Sequence, residues 1–89
     1  MQPMSQFKEK VFAIVKKIPK GTVLTYGDVA KKIGYPRAAR AVGAVLRTNF
    51  DPAIPCHRVI GANGSLGGYN RGLSKKRALL IREGAIDTA

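Results

Sequence analysis

The chain has 89 residues, enough for one modest hydrophobic core and too few for two, and it carries 16 Lys and Arg against 5 acids, a net charge of +11. A charge of that size on so short a chain calls for a polyanionic partner. The single cysteine excludes an internal disulfide, one Cys with one His cannot furnish a metal site, and the start lacks an apolar run long enough for a signal peptide or a membrane span.

From Ser5 to Ile18 the apolar residues Phe7, Val11, Phe12, Ile14, Val15 and Ile18 recur at three- and four-residue spacing with lysines between them, which predicts an amphipathic helix. Pro19-Lys20-Gly21 stops it, and Thr22-Val23-Leu24 reads as a short extended piece. Thr25-Tyr26-Gly27-Asp28 fits a capping box, opening a second short helix that runs to about Ile33 and stops at Gly34. Tyr35-Pro36 then begins a third helix, to about Thr48, with proline at or near its first position.

At 100° per residue, Ala38, Ala41, Val42, Val45 and Leu46 gather on one side of that third helix, while Arg37, Arg40, Ala44 and Arg47 gather on the other with Gly43 nearby. A short helix, a tight turn containing glycine, and a helix whose outer face is small and cationic describe a helix-turn-helix. Small residues let the backbone approach a groove, and the arginines reach phosphates or enter the base stack. The competing reading is an ordinary solvated face; with the net charge, the face is assigned to nucleic acid.

The loop after Thr48 delivers Ile54-Pro55-Cys56-His57-Arg58-Val59-Ile60, which holds the only cysteine, the only histidine and an arginine side by side. Pro52 and Pro55 each lock a φ angle, so Cys56 is presented from a stiffened turn. A thiol attacks as thiolate and needs a base or a cationic setting, which His57, Arg58 and the basic surface supply. A lone cysteine is more often a small buried hydrophobe, and that reading stands beside the catalytic one. Beyond Ile60 a glycine-rich run from Gly61 to Gly72 reads as a hairpin turn, with Asn63-Gly64-Ser65 within it, followed by a loop; it lacks the Gly-Lys-Ser/Thr of a phosphate-binding loop. Tyr69 in that loop is a candidate stacking group. Ser74 is placed as the cap of a last helix through Ala78, Leu79, Leu80 and Ile81, closed by Gly84, with Lys75-Lys76-Arg77 opposing its macrodipole unless they face an anion. The fold expected is mainly α, a winged-helix-like helix-turn-helix domain with a short hairpin and loop, as one unit over residues 1–89.

Pro55-Cys56-His57-Arg58-Val59, preceded by Tyr26 and by Arg37-Ala38-Ala39-Arg40-Ala41-Val42-Gly43, and followed by Gly68-Tyr69 and Glu83-Gly84, resembles the C-terminal domain of O6-alkylguanine-DNA alkyltransferases over nearly the whole chain. The resemblance implies direct, stoichiometric transfer of an alkyl group from O6-alkylguanine in duplex DNA to Cys56, after the nucleotide is flipped out. It implies that Ala38, Ala39, Gly43, Arg37 and Arg47 face the minor groove, and that Arg40 fills the stack in place of the flipped nucleotide. Tyr26 assists the rotation and protonates or hydrogen-bonds the leaving guanine. His57, through a water and with Glu83, draws the proton from Cys56, and Asn49 braces the helix and the active-site turn. Pro52, Arg58, Val59, Tyr69 and Asn70 shape the pocket. Two departures stand out: the N-terminal domain of the family has no counterpart, since the chain begins at the first helix of the C-terminal one, and Asn70 stands where relatives often have serine or arginine.

No cofactor is implied. The partner implied is double-stranded DNA containing alkylated guanine, met by a monomer with no membrane attachment, in the cytoplasm beside the nucleoid, or in the nucleus of a eukaryote. Small proteins of this pattern also resemble alkyltransferase-like damage sensors, which bind alkylguanine without reacting; these typically carry tryptophan or alanine at the cysteine position, so Cys56 favours the enzyme. A plain helix-turn-helix regulator leaves Tyr26, Cys56, His57 and Glu83 unexplained.

Overall fold

A computed structural model describes residues 4–49, 51, 53–62, 66 and 72–86. Helix α1, Met4–Lys16, packs Val11, Val15 and, just past its end, Ile18 into the core, as the three- and four-residue spacing requires. A two-residue strand β1, Leu24–Thr25, leads directly into helix α2, Tyr26–Lys32. The capping box is present as read: Asp28 N donates to Thr25 Oγ1 at 2.9 Å and Thr25 N donates to Asp28 Oδ2 at 3.0 Å. The Thr25 backbone N–H holds the Asp28 carboxyl below its ordinary value.

Helix α2 ends in a Schellman motif. Tyr35 N donates to Ala30 O at 2.9 Å and Gly34 N to Lys31 O at 3.1 Å, with Gly34 at φ 88°, a conformation that glycine adopts without steric cost. Helix α3 runs only from Ala39 to Leu46, three residues later than the proline predicted. The reason is local: Ala38 N donates to Tyr35 O at 2.9 Å, closing a turn in which Pro36 occupies the second position, where its fixed φ serves equally well. Arg37 therefore lies on this turn and not on the helix. Val42, Val45 and Leu46 are buried, whereas Arg40, Ala44 and Arg47 are exposed, so the two faces divide as expected.

The chain then returns through a single 3-10 turn, Cys56–Arg58, into strand β2, Val59–Ile60, which pairs in parallel with β1 in the register Leu24 to Val59 and Thr25 to Ile60. This pairing sets the cysteine turn beside the N-terminus of α2. Helix α4, Leu73–Arg82, starts after Gly72, and Ser74 makes no cap bond but lies exposed in the first turn. Its far end is a second Schellman motif, with Ala85 N to Leu80 O at 2.9 Å, Gly84 N to Ile81 O at 3.0 Å, and Gly84 at φ 78°. One core joins Val11, Val15 and Ile18 to Val29 and Ala30, Val42, Val45 and Leu46, and Cys56 and Val59. The architecture is mainly α, with α2 and α3 forming the helix-turn-helix. The expected hairpin, with Asn63, Gly64 and Ser65, lies outside the described residues.

Candidate active site

Cys56 sits at the start of the 3-10 turn, 8 % exposed, with Pro55 before it at φ −79° and ψ 68°. The turn expected to present Cys56 is this 3-10 turn. Proline withdraws an N–H from any ladder, and Arg58 N and Val59 N instead close the turn on Pro55 O and Cys56 O. The thiol is reached by a side chain from the loop after α3: Asn49 Nδ2 donates to Cys56 Sγ at 2.8 Å and to Ile54 O at 3.4 Å, while Asn49 Oδ1 accepts from Asp51 N at 3.0 Å. Asn49 thus ties the end of α3 to the turn that carries the thiol.

The next two side chains converge on one carboxylate. His57 Nε2 lies 2.9 Å from Glu83 Oε2, and Arg58 donates to Glu83 twice, Nε to Oε1 at 2.9 Å and Nη2 to Oε2 at 2.7 Å. Arg58 Nη1 also donates to Ile18 O at 2.8 Å, beyond the end of α1. This cluster joins α1, the cysteine turn and the C-cap of α4, and the second Schellman motif fixes where Glu83 stands. The paired Arg58 guanidinium holds the Glu83 carboxyl down to about 2 from an ordinary 4.5, and the carboxylate in turn raises Arg58. Glu83 therefore stays ionised and accepts a hydrogen bond from His57 Nε2 when that nitrogen bears the proton. In the neutral tautomer that donates from Nε2, the lone pair of the imidazole is on Nδ1.

A lysine completes the surroundings. Lys76 of α4 is fully buried and its Nζ donates to Val59 O at 2.7 Å, with the Tyr26 ring centroid 6.0 Å away. Burial pushes the Lys76 ammonium down to about 8 from 10.5, while interaction with Cys56 acts in the opposite direction. Sequence reasoning did not single this residue out, taking it only as one charge of the Lys75-Lys76-Arg77 run that opposes the helix macrodipole. The available signal was its position four residues before Leu80, which places both on one helix face.

Tyr26, at the first position of α2, faces α3 closely enough that a Cβ added at Gly43 would meet its ring carbons at 3.9 Å. Of the other sequence-derived residues, Ala38 and Ala39 open α3 half-buried, Arg40 and Arg47 are exposed on it, and Val59 is fully buried behind the turn. The structure therefore brings together Tyr26, Asn49, Cys56, His57, Arg58, Val59 and Glu83, and leaves the arginines Arg37, Arg40 and Arg47 on the outer surface. Pro52, Tyr69 and Asn70 lie outside the described residues. No cluster of metal-ligating side chains occurs among the described residues, and no described helix is long and apolar enough to cross a membrane.

The fold thus sets a helix-turn-helix beside a turn that carries a buried thiol and, next to it, a histidine and an arginine on one glutamate. Residues 6–85 match the family model described as 6-O-methylguanine DNA methyltransferase, DNA binding domain, and the chain belongs to that family. It is 50 % identical over 84 residues to the methylated-DNA--protein-cysteine methyltransferase of Methanosarcina acetivorans, an alignment covering 91 % of this chain and 53 % of the relative. The chain thus spans about half the length of the curated relatives it matches. Among solved structures it resembles Mycobacterium tuberculosis OGT in complex with DNA, at TM-score 0.83 and 47 % identity over 86 % of this chain and 48 % of that one. It also resembles S. pombe Atl1 in complex with damaged DNA containing O6-carboxymethylguanine, at TM-score 0.85 and 34 % identity over 93 % and 80 % of the two chains.

Proposed function

We propose that this chain repairs DNA by direct, single-turnover transfer of an alkyl group, typically methyl, from O6-alkylguanine in duplex DNA to Cys56. The observation that carries the reading is the cysteine turn: a buried thiol held by Asn49, followed at once by a histidine already engaged by an ionised glutamate. The names and titles of the relatives, methyltransferases and complexes with DNA, support it.

In this mechanism His57 Nδ1 receives the proton of Cys56 through a water, and Glu83 stabilises the imidazolium that forms. The thiolate Sγ attacks the alkyl carbon, the carbon–O6 bond breaks, and its electron pair passes into the guanine ring. Tyr26 hydrogen-bonds or protonates the leaving base. The products are guanine and S-alkyl-Cys56, so each molecule reacts once. A base inside the duplex hides its O6, so flipping precedes transfer and costs a few kcal/mol of unstacking. Arg40 on α3 fills the vacated stack and offsets part of that cost, while Ala38, Ala39 and Gly43 allow α3 to approach the minor groove and Arg37 and Arg47 contact phosphate. Residues 1–89 act as one DNA-binding and catalytic unit in this reading, and Pro52, Arg58, Val59, Tyr69 and Asn70 shape the base pocket.

The test is a duplex carrying O6-methylguanine with a radiolabelled methyl group. Label moving from DNA to protein, and lost in Cys56→Ser, is the expected result. Tight binding of the damaged duplex with no label transferred would overturn the reading and place the chain with non-reacting damage sensors.

A further inference from the structure

We propose that the cleft where α1 ends, β1 begins and α2 ends docks an acidic segment of a partner protein, which inserts one leucine-sized side chain and sets carboxylates on either side of it. The inference goes beyond the reading of Cys56 as the alkyl acceptor and does not depend on it.

Ile14 of α1, Ile18 and Pro19 beyond its end, and Leu24 of β1 make the apolar wall of a cleft of about 210 Å³. Ile18 is buried and Ile14 and Leu24 are half-buried, whereas Pro19 and Thr22 are exposed, so the wall is reached from solvent. An apolar cavity of about 150 Å³ takes a guest the size of benzene, and pockets for free ligands begin at about 300 Å³. The cleft therefore suits one aliphatic side chain delivered on a peptide and is too small for a nucleotide. An apolar anchor seated within a polar rim is how such contacts concentrate their affinity.

The charge around the cleft selects the partner. Lys17 and Lys32 line it from two different elements, the end of α1 and the end of α2, and both are exposed, with exposed Lys16, Lys20 and Lys31 beside them in the chain. Among the described residues no carboxylate lines it. Asp28, one turn before Lys32, is committed to the Thr25 cap, and Glu83 to His57 and Arg58. Every basic residue from Lys8 to Lys32 is a lysine, and the arginines begin at Arg37, ahead of α3. Arginine presents a planar fork that matches phosphate, whereas lysine presents a mobile point charge that can follow a carboxylate on a flexible segment. A duplex backbone has no apolar side group to fill the cleft, so lysines around an apolar wall favour an acidic peptide over nucleic acid. None of the residues lining the cleft belongs to the cysteine turn or to the outer face of α3.

The experiment is fluorescence anisotropy on the full chain at physiological salt, with a labelled peptide of sequence Asp-Glu-Glu-Leu-Glu-Glu-Asp and a control in which serine replaces the leucine. The leucine peptide should bind about tenfold more tightly than the serine peptide, since the two carry the same charge and differ only in the anchor. Lys17→Gln combined with Lys32→Gln should weaken the leucine peptide about tenfold, whereas Lys8→Gln combined with Lys75→Gln, which removes the same charge elsewhere, should change it by less than about twofold. All four lysines are solvent-facing or lie on helix surfaces, so both double variants should fold, which circular dichroism checks. Equal affinity for the two peptides, or equal weakening by the two double variants, would reduce the contact to general charge attraction and overturn the proposal. Undamaged duplex that displaces the peptide and loses as much affinity in the Lys17 and Lys32 variant would make the cleft a phosphate surface, and would overturn it too.

Discussion

Glu83 accepts from His57 Nε2, Arg58 Nε and Arg58 Nη2 at once, so a single carboxylate holds both the histidine beside the thiol and the framework arginine. Removing its charge should do two separate things. Glu83→Gln is expected to lower stability by about 2–4 kcal/mol, because Arg58 is left partly buried without its anion, and to slow transfer because the imidazolium loses its partner. Urea unfolding and single-turnover transfer measure the two. The pH dependence follows from the same contact. A carboxyl held at about 2 in the fold, against 4.5 ordinarily, contributes stability that is fully present above pH 4.5 and is lost as pH falls from there through 2. Unfolding measured across that window should show a drop in wild type that Glu83→Gln largely lacks. Asn49→Ala belongs to this scale too: it removes the donor to Sγ and the brace to Ile54 O, and should cost about 1–2 kcal/mol together with a slower transfer.

Elements differ in how legible they were, and the difference is physical. The Thr25–Asp28 box was readable because both partners lie within one turn and nothing distant competes. Thr25→Ala should cost about 1 kcal/mol in urea unfolding, since it removes the N-cap of α2. Pro36 misled because a fixed φ suits both the first turn of a helix and the second position of a β-turn; the Ala38-to-Tyr35 bond decided for the turn. Ser74 misled similarly, as a good cap residue one position inside a helix that starts at Leu73. The outer face of α3 was legible from periodicity alone, and Arg40 is its most pointed residue. Arg40→Ala should weaken flipping and repair more than plain duplex binding, compared by transfer rate and by affinity for undamaged duplex. Equal losses would reduce Arg40 to a phosphate contact.

At the scale of the whole molecule, the site exists only because distant segments meet. His57 and Glu83 are 26 residues apart, Arg58 and Ile18 are 40 apart, and no local pattern announces either pairing. The resemblance to alkyltransferases supplied Glu83; nothing supplied Lys76, whose burial depends on β2 lying beneath α4. The parallel pairing of β1 with β2 is the joint that sets the cysteine turn against α2, and through α2 against the arginine-bearing face of α3. With a net charge of +11, duplex binding should weaken steeply with salt, which measures how many phosphates are neutralised without reporting on chemistry. The decisive measurement is therefore intact mass, followed by peptide mapping, after titration with duplex containing O6-methylguanine. The expected result is one added methyl group per protein molecule, confined to Cys56, with no further gain at excess DNA. No added mass at saturating damaged duplex, or a methyl group on any other residue, would contradict it.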